Sequence, residues 1–191
     1  MITTDKMHPE LKSFIEDLKV IIKDGESEEV ITENVRSRIK RLLTDDGVIP
    51  AAYKIPNPDK YTLYPVYIAP DNSFCIASAV WDVGQSTPIH DHGTWGVIGI
   101  IQGNELEIHY DVDSKNELIA VQEREFQKGD TVVCCKSDRD LHKVQCVSSI
   151  PCVGIHVYGG NIGEMERHMY DPVTGNKRTV VTAWDTVTAV E

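Results

Sequence analysis

The stretch Gly84-Gln85-Ser86-Thr87-Pro88-Ile89-His90-Asp91-His92 decides the fold of this 191-residue chain. Its β-forming residues predict an extended segment, in which alternate side chains point to the same face. His90 and His92 can therefore direct both imidazoles to one point. Taken alone, such a pair could also be a solvated or hydrogen-bonded feature of the surface.

Short runs of β-forming residues surround this stretch and are separated by turn residues such as Gly103-Asn104 and Lys128-Gly129-Asp130. So many short strands predict an all-β barrel or jelly roll, with an interior able to hold a ligand. The predicted strands cover residues 62–68, 74–82, 86–92, 96–102, 106–111, 118–126, 131–135, 142–147, 152–158 and 179–186.

The chain before the strands shows helical spacing of its apolar residues, from His8 to about Asp45. Gly25 and Ser27 interrupt the pattern, and Ser27 is suited to cap a second helix. We therefore predict a single domain, residues 1–191. It has two helices within residues 1–50 packed outside a barrel core of residues 60–160, followed by a C-terminal extension, residues 161–191, that contains a strand.

Composition narrows the possible partners and locations. Nineteen basic and thirty acidic residues give a formal net charge of −11, which disfavours nucleic acids and anionic membranes as partners. Neither an apolar run of membrane-spanning length nor a secretory signal is visible, so a cytoplasmic protein is expected. The five cysteines lack C-x-x-C spacing and are expected to be reduced and mostly buried. The sequence does not predict the oligomeric state.

A third histidine and two glycine-marked motifs point to one fold. The spacing Gly84-x(5)-His90-x-His92-x(10)-Gly103 resembles the first motif of the cupins without its glutamate, and Gly129-Asp130 followed by His142 resembles the second. The resemblance implies an all-β cupin double-stranded β-helix, a jelly-roll barrel. Three neutral imidazoles on one side of a metal would leave other coordination positions open.

Within the cupins the chain resembles the cysteine dioxygenase family, in particular its bacterial branch with the mercaptopropionate dioxygenases. The matching segments are Trp81, Pro88-Ile89-His90-Asp91-His92-Gly93-Thr94-Trp95-Gly96, Leu141-His142-Lys143-Val144 and Gly154-Ile155-His156-Val157-Tyr158-Gly159. The resemblance implies that His90, His92 and His142 bind Fe(II) and that O2 oxidises a small thiol to its sulfinate. Three neutral ligands leave the charge of iron uncompensated, which favours a thiolate.

The same resemblance assigns outer residues. His156 and Tyr158 would form a relay towards the substrate, although Gly154 stands where the family has serine, and Val97 stands where mammalian enzymes carry a cysteine that cross-links to the tyrosine. Arg167 lies at the spacing of the bacterial carboxylate-binding arginine. The mammalian arginine position is Tyr64, which is taken, with Trp81, as a further substrate-binding residue.

Each assignment has a structural alternative. His156 could be a core histidine and Tyr158 an ordinary strand aromatic, and Arg167 could pair with nearby acids on a short helix. Two other functions stay open: three histidines also suit zinc-assisted hydrolysis or hydration, and a cupin can bind a small ligand without catalysis.

Overall fold

The structure is a computed structural model that describes residues 1–45, 47–114, 117–136 and 140–187. Two helices, α1 (Pro9–Lys23) and α2 (Glu28–Leu42), precede the strands. The strands are β1 (Thr62–Ile68), β2 (Cys75–Trp81), β3 (Ile89–His90), β4 (Gly96–Gln102), β5 (Asn104–Val112), β6 (Leu118–Gln127), β7 (Thr131–Cys135), β8 (His142–Cys146), β9 (Cys152–Tyr158), β10 (Arg167–Tyr170) and β11 (Lys177–Val180).

Two antiparallel sheets form the body of the molecule. One has the strand order β1-β2-β9-β4-β7, and the other has the order β11-β10-β3-β8-β5-β6. A buried cluster joins the two, with Ala79 and Ile98 from the first sheet and Val144 from the second. The predicted all-β cupin architecture, a double-stranded β-helix with N-terminal helices, is confirmed.

The helices pack against the other face of the first sheet. Leu18 of α1 and Ile39 of α2 are fully buried in one cluster with Val97 and Ile155 of the sheet. Gly99 of β4 makes this approach possible, because a Cβ at that position would collide with Cγ2 of Ile39. The helices therefore lie outside the barrel, as predicted.

The helix boundary at Ser27 follows from local chemistry. The hydroxyl of Ser27 accepts a hydrogen bond from the backbone N–H of Val30, 3.4 Å away, and so satisfies a group that a helix start leaves unpaired. The predicted N-cap is confirmed.

The segment around the histidine pair is less regular than predicted. Only Ile89 and His90 pair as a strand, because Pro88 lacks an N–H to donate and Gly93 turns the chain with a φ of +64°. The strand that contains Arg167 was not predicted. The last strand ends at Val180, whereas the sequence pattern extended it to residue 186.

The cysteines are buried as expected. The sulfur atoms of Cys134 and Cys135 lie side by side, as do those of Cys146 and Cys152, whereas Cys75 stands apart. The reduced state of the cysteines stays a prediction. Burial raises the pKa of Cys75 to about 12, so this thiol stays protonated.

Within the described residues, no helix combines the length and the apolar character required to traverse a bilayer. The cytoplasmic location and the single-domain organisation stay predictions from the sequence.

Candidate metal centre and its cavity

The structure brings the three predicted histidines together. His90 on β3 and His142 on β8 are direct partners in the antiparallel register, and His92 follows two residues after His90. The ring centroids of the three pairs are 4.7, 4.8 and 5.0 Å apart. Their possible ligand atoms lie within 4.8 Å of one another, and all three side chains are buried. This is the geometry of a three-histidine metal site.

The protonation and hydrogen bonding of the histidines fit a bound cation. Burial, with the neighbouring histidines and Arg167 as smaller causes, holds the pKa of His90 and of His92 well below the usual value, so both rings are neutral. The Nε2 atom of His142 is buried without a hydrogen-bond partner among the described residues. A buried nitrogen of this kind is costly unless a ligand such as a metal satisfies it. The donor set suits a divalent transition metal.

Two of the rings are oriented by hydrogen bonds of the nitrogen that lies away from the point where the three ligand atoms meet. His142 Nδ1 lies 2.6 Å from Oε1 of Glu107, and His90 Nδ1 lies 3.0 Å from the carbonyl oxygen of Pro88. Such partners fix the tautomer, so that Nε2 of each ring is available as a ligand.

The third ring, His92, is positioned mainly through its backbone. The carboxylate of Asp140 accepts hydrogen bonds from the backbone N–H groups of His92 and Gly93, and it lies 3.3 Å from His92 Nδ1. Asp140 was not predicted from the sequence.

Glu107 is shared by two histidines. Its second oxygen lies 3.1 Å from Nε2 of His109, so Glu107, His109 and His142 form another group whose ligand atoms are close together. Burial raises the pKa of Glu107, but the interactions with His109 and His142 outweigh it and lower the pKa to about 2. Because its two oxygens already face these imidazoles, we interpret Glu107 as the carboxylate that orients His142.

A narrow cavity opens beside the three histidines. Its lining combines apolar side chains with four histidines, two tyrosines, a threonine and an arginine. The lining residues are Tyr61, Leu63, Ala79, Trp81, Thr87, His90, His92, Ile98, His142, Val144, His156, Tyr158 and Arg167. The cavity is suited to a small molecule with one anionic end.

Arg167 supplies the positive charge of this cavity. It begins β10, whose residue Met169 pairs with His90, so the arginine and the metal ligands belong to neighbouring strands. The side chain is 4% exposed, and its Nε has no hydrogen-bond partner among the described residues. The alternative of a surface arginine on a short helix is therefore not supported.

His156 and Tyr158 alternate along β9 and meet inside the barrel. His156 Nδ1 lies 2.9 Å from the Tyr158 hydroxyl, and the tyrosine ring stacks on His92 with the centroids 5.2 Å apart. Burial lowers the pKa of His156 to about 3 and raises the pKa of Tyr158. Both groups are therefore neutral at ordinary pH, and the pair can hold a proton at a defined atom.

Gly96, rather than Val97, occupies the place beside the tyrosine. Gly96 pairs with Tyr158 in the register, and a Cβ at residue 96 would lie 3.0 Å from Cε1 of Tyr158. Val97 points to the opposite face and packs in the cluster with the helices. Neither residue offers a sulfur for a cross-link.

The two further predicted substrate-binding residues have different positions. Trp81 lines the cavity, with its ring centroid 5.8 Å from that of His156. Tyr64 does not line it, which corrects the expectation from the sequence. Side chains alternate along β1, so Leu63 faces the cavity, whereas Tyr64 packs in the cluster with the helices and donates a hydrogen bond to the Ile55 carbonyl, 2.9 Å away.

The glutamates of β5 were missed because their pattern misleads. Asn104, Leu106 and Ile108 are only partly buried, whereas the alternating Glu105 and Glu107 are buried. When acidic and apolar residues alternate along a strand, the sequence alone predicts that the acidic side chains face the solvent. In β5 they face the interior instead. One signal was available: a metal-bound histidine usually donates its other ring N–H to a partner such as a carboxylate, which predicts an acidic residue beside one of the three histidines.

Two solved structures show how the fold of this chain compares with known proteins. Among solved structures, recombinant oxalate oxidase in complex with glycolate is 20% identical, with 55% of this chain and 53% of that chain covered and a TM-score of 0.44. A cupin superfamily protein from Desulfitobacterium hafniense DCB-2 is 10% identical, with 59% and 90% covered and a TM-score of 0.45. The chain spans about half of the oxalate oxidase chain, and at such TM-scores neither likeness bears on its activity.

The comparison with family models covers most of the chain. The model for cysteine dioxygenase type I matches residues 9–171, which include both helices, the three histidines, the His156–Tyr158 pair and Arg167. The chain therefore belongs to the cysteine dioxygenase type I family.

Proposed function

We propose that this protein is a non-haem Fe(II) thiol dioxygenase that converts a small mercapto acid, such as 3-mercaptopropionate, to its sulfinate. The observation that carries the proposal is the meeting of three histidines, Arg167 and Tyr158 in one small cavity. Family membership supports a thiol and O2 as the substrates.

The histidines would hold the iron and set the charge of the site. His90, His92 and His142 bring no negative charge, so an anionic sulfur is favoured as an additional ligand. When bound, Fe(II) supplies the redox chemistry by which O2 reacts with a thiolate sulfur. Glu107 keeps His142 in the tautomer that presents Nε2.

Arg167 would bind the carboxylate of the substrate. A guanidinium can donate two parallel hydrogen bonds to a carboxylate, and burial in an apolar cavity strengthens that interaction. Because Arg167 and the metal ligands line one cavity, the two ends of a short mercapto acid can be held together. Fixing both ends lowers the entropic cost of reaching the reactive arrangement.

The lining of the cavity favours a substrate without an amino group. Among the described residues that line it there is no carboxylate, and Arg167 is the one side chain with a permanent charge. The ammonium group of cysteine would be buried there without an ionic partner, which is costly. We therefore propose 3-mercaptopropionate ahead of cysteine.

Tyr158 would donate a hydrogen bond into the cavity. Its raised pKa keeps the hydroxyl protonated, and His156 at 2.9 Å fixes the direction of the O–H group. The apolar wall, including Trp81 and Ile98, excludes bulk water from the same space.

Oxygen uptake by the iron-loaded protein tests the proposal. We expect consumption of O2 and formation of a sulfinate with 3-mercaptopropionate, and weaker turnover with cysteine and with 2-aminoethanethiol, which lacks the carboxylate. Absence of O2 uptake with every thiol, a product other than a sulfinate, or zinc as the ion retained after iron-replete purification would refute it.

The variant Arg167→Gln tests the carboxylate site. A hydrogen-bonded charge pair contributes about 1.5–3 kcal/mol, so kcat/KM for 3-mercaptopropionate should fall about 10- to 100-fold. The value for 2-aminoethanethiol should change little. Arg178→Gln, which alters an exposed arginine on the neighbouring strand, is the matched control. An equal loss for both thiols would contradict the assignment.

A further inference from the structure

Two buried polar atoms border the same point in the barrel, above Gly154. His156 Nε2 and Glu105 Oε1 both lack a hydrogen-bond partner among the described residues. A Cβ at residue 154 would lie 2.7 Å from His156 Nε2 and 3.5 Å from Glu105 Oε1. Both atoms therefore border the space that a side chain at residue 154 would occupy, and glycine leaves that space free.

Glu105 has no other evident role. It lies on β5, 3% exposed, in a barrel that has its metal ligands, its arginine and its tyrosine elsewhere. Burial, and secondarily the charge of Glu107, raises the pKa of Glu105 to about 8. The carboxyl group is therefore protonated at neutral pH and can donate a hydrogen bond.

The hydrogen bond between His156 and Tyr158 determines which partner the second ring nitrogen of His156 requires. If the Tyr158 hydroxyl donates into the cavity, its oxygen must accept from Nδ1–H of His156, 2.9 Å away. In a neutral imidazole the other nitrogen, Nε2, is then an acceptor that requires a donor. A protonated carboxyl group is a donor of the right kind, and leaving Nε2 unpaired in the interior is costly.

We propose that Glu105 is a positioning residue whose carboxyl O–H donates to His156 Nε2 across Gly154, and so holds the imidazole in the tautomer that directs the Tyr158 hydroxyl towards the substrate. Residue 154 carries no side-chain atom that would block this contact. The role in turnover rests on the proposed function, whereas the contact itself does not.

Gly154 is part of the same arrangement. Any other residue would place its Cβ 2.7 Å from Nε2 and force the His156 ring to move. A serine, which the family has at this position, would therefore require the His156 ring to shift. Glu105 therefore takes the place of the missing hydroxyl from the opposite sheet.

Nitrogen NMR of the histidine rings tests the contact without turnover. The full chain, labelled with ¹⁵N-histidine and treated with a chelator, is compared with Glu105→Gln and Glu105→Leu, and His156→Asn assigns the signals of His156. We expect well-separated signals of a single tautomer in the wild type and in Glu105→Gln, whose amide can still donate. In Glu105→Leu both ring signals should move towards intermediate positions, because the two tautomers mix.

The control is Glu123→Gln, which changes an exposed glutamate of the adjoining strand β6 and should leave the His156 signals in place. A single unchanged tautomer in folded Glu105→Leu would overturn the proposal. If Glu105→Leu does not fold, the infrared carbonyl stretch of the protonated Glu105, identified by its loss in Glu105→Gln, must shift in His156→Asn. An unshifted band would overturn it as well.

The same variants separate this inference from the proposed function. Tautomer mixing in Glu105→Leu supports the contact even in a protein that oxidises no thiol. Active enzyme with an unchanged His156 tautomer refutes the contact and leaves the thiol dioxygenase proposal standing.

Discussion

Replacing Glu105 by glutamine should change how the stability of the protein depends on pH. The pKa of Glu105 is raised from 4.5 to about 8, chiefly by burial. The folded state therefore binds this proton more tightly than the unfolded state does. The resulting stabilisation is fully present below pH 4.5 and is lost as the pH rises towards 8 and beyond. Glutamine is neutral at every pH and removes this loss.

The size of the effect follows from the shift. One pKa unit corresponds to about 1.4 kcal/mol, so ionising Glu105 in the folded state costs on the order of 5 kcal/mol. The full burial of the side chain leaves little solvent screening to reduce this figure. Relative to Glu105→Gln, the wild type should lose about 1.4 kcal/mol of unfolding free energy for each pH unit between 4.5 and 8.

Urea unfolding at half-unit steps from pH 5 to pH 9 measures this difference. His156, whose pKa is lowered to about 3, contributes the opposite trend, since its stabilisation is present above pH 6.5 and is lost as the pH falls. That contribution is common to both proteins and cancels in their difference. A wild-type-to-variant difference that is constant across the range would refute the buried, protonated state of Glu105. Glu123→Gln is the exposed control.

Three further outcomes are expected. Glu107→Gln weakens the partner of His142 Nδ1, so the affinity for Fe(II), measured by competition with a chelator, should fall about 10- to 100-fold; an unaltered affinity would exclude the orienting role. Gly99→Ala presses a methyl group against Ile39 and should lower the free energy of unfolding in urea by about 1–3 kcal/mol, with partial relief when Ile39→Ala is added. Ser27→Ala removes the cap of α2 and should cost about 1 kcal/mol in the same assay, and no measurable loss would contradict the capping bond.

Much of the fold could be predicted because the local patterns agree with the final structure. The strands β1, β4, β7 and β9 have the predicted bounds, since runs of β-forming residues end at turn residues such as Gly103 and Gly129, both with positive φ. The helix break at Ser27 follows from capping chemistry. The convergence of His90 and His92 was predictable because two histidines at a spacing of two share a face of an extended segment, whereas the three-histidine metal site with His142 was implied by the family resemblance.

What the sequence did not predict depends on contacts between distant segments. The short strand β10 exists because it pairs with β3 and β11, and Arg167 has no local pattern that marks a strand. Tyr64 was assigned to the cavity by position along the chain, whereas the alternation of β1 turns it to the helical side. Glu107 faces inward, where it contacts His142, and Glu105 is buried on the same face of β5, which hydrophobic alternation cannot reveal.

Because β10 pairs with β3, the arginine and the metal ligands of the centre lie together although they come from different segments of the chain. The three histidines come from the body of the barrel, whereas the arginine of the cavity comes from the terminal hairpin of β10 and β11, attached alongside them through Met169 and His90. Under the proposed function, exchanging that hairpin would remove the arginine that binds the carboxylate, and the three histidines would stay in the sequence. Under the proposed function, residues 167–180 therefore carry the charge that binds the substrate, and residues 90–142 supply the metal ligands.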